Sequence, residues 1–161
     1  IPDVFLAGEY PGAATIDVAR ERIQQYLKFG INYFIDLTED HELQPYENLL
    51  NEETAKLQLS VEYYRMPIRD ISIPNKELMT EILNMIDEAL SLNKKIYVHC
   101  WGGVGRTGMV VGCHLVRHGK TGEEALNQIA VWWQTVEKFY RKPNSPETKE
   151  QCDFVHNWIE G

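Results

Sequence analysis

The sequence predicts an α/β fold, a single domain in which helices flank a central, mostly parallel and twisted sheet of four to five strands. Two observations predict it. Short runs of β-forming residues alternate along the chain with longer segments in which apolar residues recur every three to four positions. Strands that alternate with helices in this way form parallel sheets covered on both faces. A length of 161 residues suits one domain with a substantial core, so we expect residues 1–161 to fold as one unit.

The first strand is predicted at residues 4–7, before a turn rich in glycine and proline at residues 8–12. Thr15 is placed to cap the helix that follows, and Gly30 is placed to end it in the left-handed conformation. The apolar stripe of this helix consists of Ile16, Ala19, Ile23, Tyr26 and Leu27.

Two strands and two helices are predicted in the middle of the chain. Residues 33–37 and 61–66 are runs of β-formers, the second stopped by a proline, and a weakly helical segment at residues 43–58 lies between them. A long helix then begins at Asn75 or Ser72. Its inward apolar residues are Leu78, Ile82, Leu83, Ile86, Ala89 and Leu90.

The last part of the chain is predicted to contain one strand and three helices. Residues 96–99 form the strand, and residues 106–118 form a helix that is apolar on nearly every side and is therefore buried. Thr121 and Glu124 have the spacing of a capping box for the next helix, and residues 145–147 begin the final one. The residues expected on the inner sides of these two helices are Leu126, Ile129, Trp132, Trp133 and Val136 in the first, and Phe154, Val155, Trp158 and Ile159 in the second.

Charge and composition limit the classes of partner. The net charge of −8 argues against nucleic acid or an anionic membrane surface as the main partner. Residues 94–120 nevertheless contain five Lys or Arg and no Asp or Glu, which indicates a small anionic ligand unless the clustering is due to chance. No apolar run approaches the roughly 20 residues that span a bilayer. No signal peptide is visible, although the chain opens at Ile1 without Met.

The three cysteines, Cys100, Cys113 and Cys152, are too few and odd in number for a disulfide framework. A reducing compartment suits such a chain, so we expect a cytoplasmic location. Cys113 lies about two helical turns, or ~10 Å, along the predicted helix. That separation is too large for it to act as a resolving thiol for Cys100.

Cys100 and Arg106 stand six residues apart, on either side of a turn that contains three glycines. A helix N-terminus and a neighbouring guanidinium both favour the thiolate, the nucleophilic form of cysteine. The glycines allow positive φ values, so residues 101–106 can curl with their N–H groups inward as an anion nest. Arg106 adds planar, bidentate donors for two oxygens. The segment therefore predicts a phosphate held over a nucleophilic sulfur. A buried structural thiol, the simpler alternative, would need neither the glycines nor Arg106.

The residues predicted to bind substrate are Trp101, Gly102, Gly103, Val104, Gly105 and Arg106. Thr107 is expected to place a hydroxyl near the sulfur, where it could stabilise the departing thiolate. His99 is expected to support the loop by hydrogen bonds rather than to titrate in the reaction.

A phosphoryl-transfer site also needs a proton donor for the leaving oxygen. Asp70 is the candidate, because it follows the third predicted strand and the carboxyl ends of neighbouring parallel strands share one edge of a sheet. Asp36 and Asp40 are rivals at the same edge. An ordinary turn aspartate is the alternative interpretation of Asp70.

Two other phosphate-binding motifs fit this segment less well. Residues 103–108 match the G-x-G-x-x-G pattern of dinucleotide-binding proteins, but a further buried strand ending in Asp or Glu should follow the helix. Thr121 instead caps a second helix. A Walker A loop would have glycine at position 100 and lysine at position 106, and the chain has neither.

The segment at residues 99–108, with the pattern His-Cys-x5-Arg-Thr-Gly, resembles the signature of the cysteine-dependent protein tyrosine phosphatases, particularly their small dual-specificity-like branch. The resemblance extends over most of the chain and implies one phosphatase domain with the fold of that family. Asp70 falls where that branch has its general acid, although the Trp-Pro-Asp of the larger enzymes is absent. Gln151 lies in a segment that resembles the one carrying a water-positioning glutamine in the larger enzymes.

The resemblance implies a reaction in two steps. Cys100 attacks phosphorus in line while Asp70 protonates the leaving oxygen, and water then hydrolyses the cysteinyl-phosphate with Asp70 as base. Arg106 and the backbone N–H groups hold the phosphate oxygens throughout. No cofactor and no metal are implied, and no metal-ligand spacing is identified in the sequence. The implied partner is a phosphorylated protein or peptide, and we expect a monomer.

Two other functions stay open beside the leading hypothesis, which is a phosphatase acting on phosphotyrosine, with phosphoserine and phosphothreonine as further candidates. An inositol-phosphate or phosphoinositide phosphatase usually carries Lys within the loop to meet the extra phosphates, and residues 101–105 contain none. A phosphate-binding module without turnover would not need Cys100, Arg106 and Asp70 together.

Overall fold

The computed structural model describes residues 4–160 and shows four strands in one sheet. They are β1 (Phe5–Gly8), β2 (Tyr33–Asp36), β3 (Glu62–Arg65) and β4 (Ile96–His99). Their order is β1-β4-β2-β3, and every neighbouring pair is parallel. The predicted α/β fold with a parallel sheet is confirmed, with four strands within the described residues.

Helices cover both faces of the sheet, as the sequence predicted. They are α1 (Ile16–Phe29), α2 (Glu47–Leu57), α3 (Lys76–Ser91), α4 (Gly105–Arg117), α5 (Gly122–Trp133) and α6 (Lys149–His156), with a 3₁₀ helix at Glu137–Tyr140. Buried residues of α1 and α2 join Phe34 and Tyr97 in one apolar cluster. Buried residues of α3 to α6 join Ile35 and Val98 in a second cluster. Successive residues of a strand point to opposite faces of the sheet, so consecutive residues of β2, and likewise of β4, pack into different apolar clusters.

Several helix ends follow the local signals in the sequence. Gly30 ends α1 with φ 94°, in the left-handed region. The side chain of Asn75 accepts a hydrogen bond from Leu78 N at 2.8 Å and so caps α3. Thr121 and Glu124 form the predicted capping box of α5. These ends are set by residues within four positions of one another, which is why the sequence alone locates them.

Some residues predicted to face inward are exposed instead. In α5 the buried apolar residues recur every fourth position, at Ala125, Ile129 and Trp133, and Trp132 turns to solvent. Three further residues that were predicted to face inward are also exposed, namely Ile16, Val136 and Ile159. Ile16 is the first residue of α1, and the other two lie beyond the ends of α5 and α6. Helical periodicity does not govern burial at such positions.

The final helix begins later than predicted, at Lys149 rather than within residues 145–147. Thr148 is its N-cap and forms a capping box with Gln151. Ser145 lies in the preceding connection, where its hydroxyl donates to Val104 O at 2.8 Å. The segment before α6 therefore contacts the loop that follows β4.

Gly122 is a contact point of α5 with α6, because a Cβ there would overlap the backbone of His156. Alanine normally stabilises a helix by about 0.5–1 kcal/mol relative to glycine. We expect Gly122→Ala to destabilise the domain instead, by about 1–3 kcal/mol, the usual cost of overpacking. Urea unfolding measures the change, and Glu123→Ala at the next, exposed position is the control. A Gly122→Ala variant as stable as the parent would contradict this packing.

Candidate active site

The loops that follow β2, β3 and β4 stay hydrogen-bonded to one another beyond the ends of the strands. Leu37 N donates to His99 O at 2.9 Å, and Ile68 N donates to Leu37 O at 3.0 Å. The backbone pairing of the sheet therefore continues into the loops. It brings the segment that contains Asp70 beside the segment that contains Cys100, as expected for neighbouring parallel strands.

Cys100 follows β4 directly, and the loop that it opens leads into α4 at Gly105. The residue is buried, with 3 % of its surface exposed. Unpaired N–H groups give the first turn of a helix a partial positive charge. The start of α4 therefore favours negative charge at this loop.

The loop is held from outside by hydrogen bonds to its carbonyl groups. Tyr10 N donates to Trp101 O at 3.0 Å, Lys138 Nζ donates to Gly102 O at 3.0 Å, and Ser145 Oγ donates to Val104 O at 2.8 Å. In a trans peptide the C=O of one residue and the N–H of the next point in opposite directions. The N–H groups that follow these three carbonyls therefore face the inner side of the loop, which is the arrangement of an anion nest.

The three loop glycines, which allow positive φ values, differ in the constraints that act on them. Gly103 alone among them has a left-handed conformation, with φ 71°, and a Cβ there would lie 2.5 Å from the carbonyl carbon of Gly8. Gly105 is already helical, and a Cβ there would lie 2.7 Å from Gln151 Oε1. Gly102 has neither constraint, since its Cβ would contact Val104 at an ordinary 3.4 Å. At position 105, contact with the side chain of Gln151, rather than φ, favours glycine.

Arg106 is almost fully buried, 1 % exposed, and its terminal nitrogens bind two of the surrounding loops. Glu42 accepts from both, at 2.8 Å from Nη1 and 2.6 Å from Nη2. Ile68 O accepts a further bond from Nη1 at 3.0 Å. Two parallel bonds between a guanidinium and a carboxylate fix the plane of the guanidinium as well as its position.

The remaining nitrogen of this guanidinium, Arg106 Nε, is buried and has no hydrogen-bond partner among residues 4–160. A buried N–H without a partner is costly, so it marks a place where an acceptor is expected. Burial alone would lower the pKa of Arg106, but hydrogen-bonded Glu42 and nearby Cys100 raise that pKa above its ordinary value. The guanidinium is therefore a permanent cation, and its Nε is a donor that lacks an acceptor within residues 4–160.

Asp70 lies at this guanidinium, with Oδ1 2.9 Å from Arg106 Nη2 and its side chain half exposed. The two rival carboxylates are engaged elsewhere. Asp36 is buried and accepts from Thr38 N at 2.9 Å, from the Thr38 hydroxyl, and from Tyr63 at 2.8 Å. Asp40 pairs with Arg65 at 2.9 Å. Of the three aspartates, Asp70 is the one that contacts Arg106.

His99 is buried between the sheet and the loop. Its Nε2 lies 2.7 Å from the hydroxyl of Tyr46, and its Nδ1 lies 3.3 Å from Cys100 O. Burial lowers the pKa of His99 to about 4, so the imidazole is neutral at pH 7. A neutral ring can donate from one nitrogen and accept at the other, which suits a link between Tyr46 and the loop backbone.

Thr107 and Gln151 lie beside the loop with their polar groups already engaged. The hydrogen bond found for the Thr107 hydroxyl goes to Gly8 O, at 3.4 Å, and not to the sulfur. Gln151 is buried, and its Oε1 accepts from Glu147 N at 3.1 Å and Thr148 N at 3.2 Å. Its Nε2 donates to Ser72 O at 3.3 Å. Gln151 therefore connects α6, the loop that contains Asp70, and Gly105.

Sequence reasoning missed Glu42 and Tyr46. Both lie between β2 and α2, where the sequence offers only a weak helical pattern. A signal for Glu42 was available in principle, because a buried arginine requires a carboxylate partner. Choosing Glu42 from 24 acidic residues, however, requires the tertiary structure.

A family model described as "Polymorphic toxin system, DSP-PTPase phosphatase" matches residues 10–120, which include Glu42, Asp70, Cys100 and Arg106. The crystal structure of Tk-PTP in the active form is similar in fold, with a TM-score of 0.68, 26 % identity, and 87 % of each chain covered.

Two curated relatives differ in the substrates that their names give. "Putative tyrosine phosphatase 197R" of Invertebrate iridescent virus 6 is 25 % identical over 157 residues, which cover 94 % of this chain and 49 % of that protein. "Phosphatidylglycerophosphate phosphatase PTPMT1" of Arabidopsis thaliana is 28 % identical over 130 residues, covering 73 % of this chain and 37 % of that protein. The chain thus spans half or less of these relatives. Within residues 4–160, no helix has both the length and the apolar character to cross a bilayer.

We expect Glu42→Gln to destabilise the fold at neutral pH by about 1–3 kcal/mol, because Arg106 would lose its charged, bidentate partner. Arg106 lowers the pKa of Glu42 below its ordinary value, against the opposing effect of burial. The ionised carboxylate therefore stabilises the folded state at any pH above the ordinary pKa of a glutamate. This stabilisation is lost as the pH falls below that ordinary pKa and through the lower pKa of the folded state.

Urea unfolding of the parent and Glu42→Gln should thus show a difference at pH 7 that shrinks below about pH 4.5. Glu21→Gln, an exposed position on α1, is the matched control. A stability difference that is absent at pH 7, or independent of pH, would contradict the role of the ion pair.

Proposed function

Since the chain belongs to the family "Polymorphic toxin system, DSP-PTPase phosphatase", within the cysteine-dependent protein tyrosine phosphatases, we propose that it hydrolyses phosphotyrosine in proteins or peptides. Phosphoserine and phosphothreonine are further candidates. The observation that carries the proposal is the arrangement of Arg106. Its Nη atoms are bound by Glu42 and Ile68 O, and its buried Nε has no partner within residues 4–160. A phosphate oxygen supplies the acceptor that Nε lacks.

In the proposed first step, the thiolate of Cys100 attacks phosphorus in line with the ester oxygen. The S–P bond forms as the P–O bond to the substrate breaks, and Asp70 gives its proton to the departing oxygen. Arg106 and the backbone N–H groups of residues 101–106 bind the other phosphate oxygens, where charge is spread in the transition state. The start of α4 and the guanidinium of Arg106 place positive charge at the loop that contains Cys100.

In the second step, water attacks the phosphorus of the cysteinyl-phosphate and the S–P bond breaks. Asp70, now ionised, accepts a proton from this water, and the products are inorganic phosphate and the Cys100 thiolate. Asp70 is proposed for both roles because it is the aspartate that contacts Arg106 and its side chain is half exposed. A carboxyl group at the carboxyl edge of the sheet, beside the Cys100 loop, can contact both the leaving oxygen and the incoming water.

We propose that His99, Thr107 and Gln151 support the loop rather than take part in bond making. His99 contacts the carbonyl of Cys100, and Thr107 contacts Gly8 next to the close approach of Gly103. Gln151 contacts the backbone at Ser72 and packs on Gly105, so it holds the two loops in register. We further propose that residues 1–161 act as one phosphatase domain.

The side chains of the loop favour a substrate with a single phosphate group, such as phosphotyrosine in a protein, over an inositol or lipid that carries several phosphates. Residues 101–105 carry no cationic side chain that could bind a second phosphate. Trp101 is 57 % exposed, and its flat apolar face suits the ring of phosphotyrosine. A lipid or inositol phosphate is the second candidate, and the similarity to the phosphatidylglycerophosphate phosphatase favours it.

We expect the purified chain to release phosphate from phosphotyrosine peptides with a higher kcat/KM than from inositol phosphates or from vesicles that contain phosphatidylglycerophosphate. Cys100→Ser should show no measurable turnover but should still bind the phosphopeptide, because it lacks only the nucleophile. Cys152→Ser, which changes a cysteine on α6, is the control and should retain full activity. Turnover by Cys100→Ser would contradict the nucleophile, and a preference for the lipid or inositol substrate would favour the second candidate.

Asp70→Asn should slow hydrolysis of phenyl phosphate by about 10²–10⁴-fold, the usual contribution of a general acid. Hydrolysis of an activated aryl phosphate, whose leaving oxygen needs little protonation, should fall much less. Asp40→Asn removes a carboxylate from the same edge and should change neither rate. Equal losses for both substrates in Asp70→Asn would move the acid role to another residue.

A further inference from the structure

Three metal-ligating side chains from α3 and α4 meet at the end of the domain far from Cys100. Asp87 lies in the second half of α3, and His114 and His118 lie at the C-terminal end of α4. One donor atom from each lies within 4.8 Å of the other two. His114 is eight residues beyond Arg106, or about 12 Å along the helix axis. The cluster is therefore separate from the candidate active site.

The distances fit the first coordination sphere of a small cation. Asp87 Oδ1 lies 2.9 Å from His118 Nε2 and 3.7 Å from His114 Nδ1. Bonds of about 2.0–2.1 Å in a tetrahedral zinc site place ligand atoms about 3.3 Å apart. The two observed separations lie on either side of that value.

His114 supplies the observation that hydrogen bonding alone does not explain. It is buried, 3 % exposed, and its Nδ1 has no hydrogen-bond partner within residues 4–160. The separation of 3.7 Å from Asp87 is too long for a hydrogen bond. An imidazole nitrogen without a hydrogen-bond partner is a common metal ligand.

The surroundings also favour a cation. The site lies at the C-terminal end of α4, where unpaired carbonyls give a partial negative charge. Arg117 is a neighbouring cation, and it is already bound, at 3.0 Å to Asp87 Oδ2 and at 2.7 Å to Glu160. Its bond to Oδ2 orients the carboxylate so that Oδ1 faces the two imidazoles, as an outer-sphere partner does in metal sites.

We propose that Asp87, His114 and His118 form a zinc-binding site that ties α3 to the end of α4. Two imidazoles and a carboxylate are ligands that zinc accepts. His118 is half exposed, so a water molecule can complete the tetrahedron. The spacing of the histidines, four residues apart on one helix, is a metal-ligand pattern that the sequence analysis did not identify.

The test is zinc titration by calorimetry of the full chain with Cys100→Ser, so that the thiol of Cys100 does not compete for the metal. One equivalent of Zn²⁺ should bind, with Mg²⁺ giving no signal. His118→Ala and, separately, Asp87→Asn in this background should weaken binding at least about tenfold. His156→Ala, an exposed histidine on α6, is the control and should bind as the parent does.

Thermal unfolding separates loss of the metal from damage to the fold, because each variant is compared with its own metal-free form. Zinc should raise the Tm of the parent and of His156→Ala, and EDTA should reverse the rise. The rise should be absent in His118→Ala and Asp87→Asn. Absence of stoichiometric binding, or binding that both substitutions leave unchanged, would overturn the proposal. The cluster would then be a hydrogen-bonded contact between two helices, and the proposed function would be unaffected.

Discussion

The buried ion pair between Arg106 and Glu42 is the interaction on which the candidate site depends. A guanidinium removed from water is stable only where charged and polar partners surround it. Glu42 comes from the loop after β2, Ile68 O from the loop after β3, and Arg106 from the segment after β4. One side chain therefore joins the three loops at the carboxyl edge of the sheet. Their relative positions are fixed before any substrate binds, which is the preorganisation that stabilises a transition state.

Contacts from outside determine the shape of the loop that we propose holds the phosphate. Carbonyls on its outer side bind Tyr10, Lys138 and Ser145, so the amides that follow them turn inward. A Cβ at position 103 would overlap the backbone of Gly8, and a Cβ at position 105 would displace the side chain of Gln151. The shape of the loop thus depends on β1, α6 and the connection after α5, none of which is adjacent to it in sequence.

Much of the fold could be predicted because it is determined locally. The alternation of strands and helices, Gly30 at the end of α1 and the capping box of Thr121 are short-range patterns. The pairing of Asp70 with the Cys100 loop followed from one topological rule about parallel strands. Tertiary properties escaped prediction. Glu42 and Tyr46 matter through what they touch across the fold, the reason for glycine at position 105 is a contact with α6, and Ile159 is exposed because the helix has already ended.

We propose that the arrangement around Arg106 serves to place phosphate on the sulfur of Cys100. The most direct measurement is to mix the enzyme rapidly with an aryl phosphate, quench it in acid within the first turnover, and locate the phosphate by peptide mass spectrometry. We expect a phosphorylated peptide that contains Cys100, formed and consumed at rates compatible with kcat. Turnover without any phosphorylated Cys100, or with phosphate on another residue, would contradict the role of Cys100 as the nucleophile.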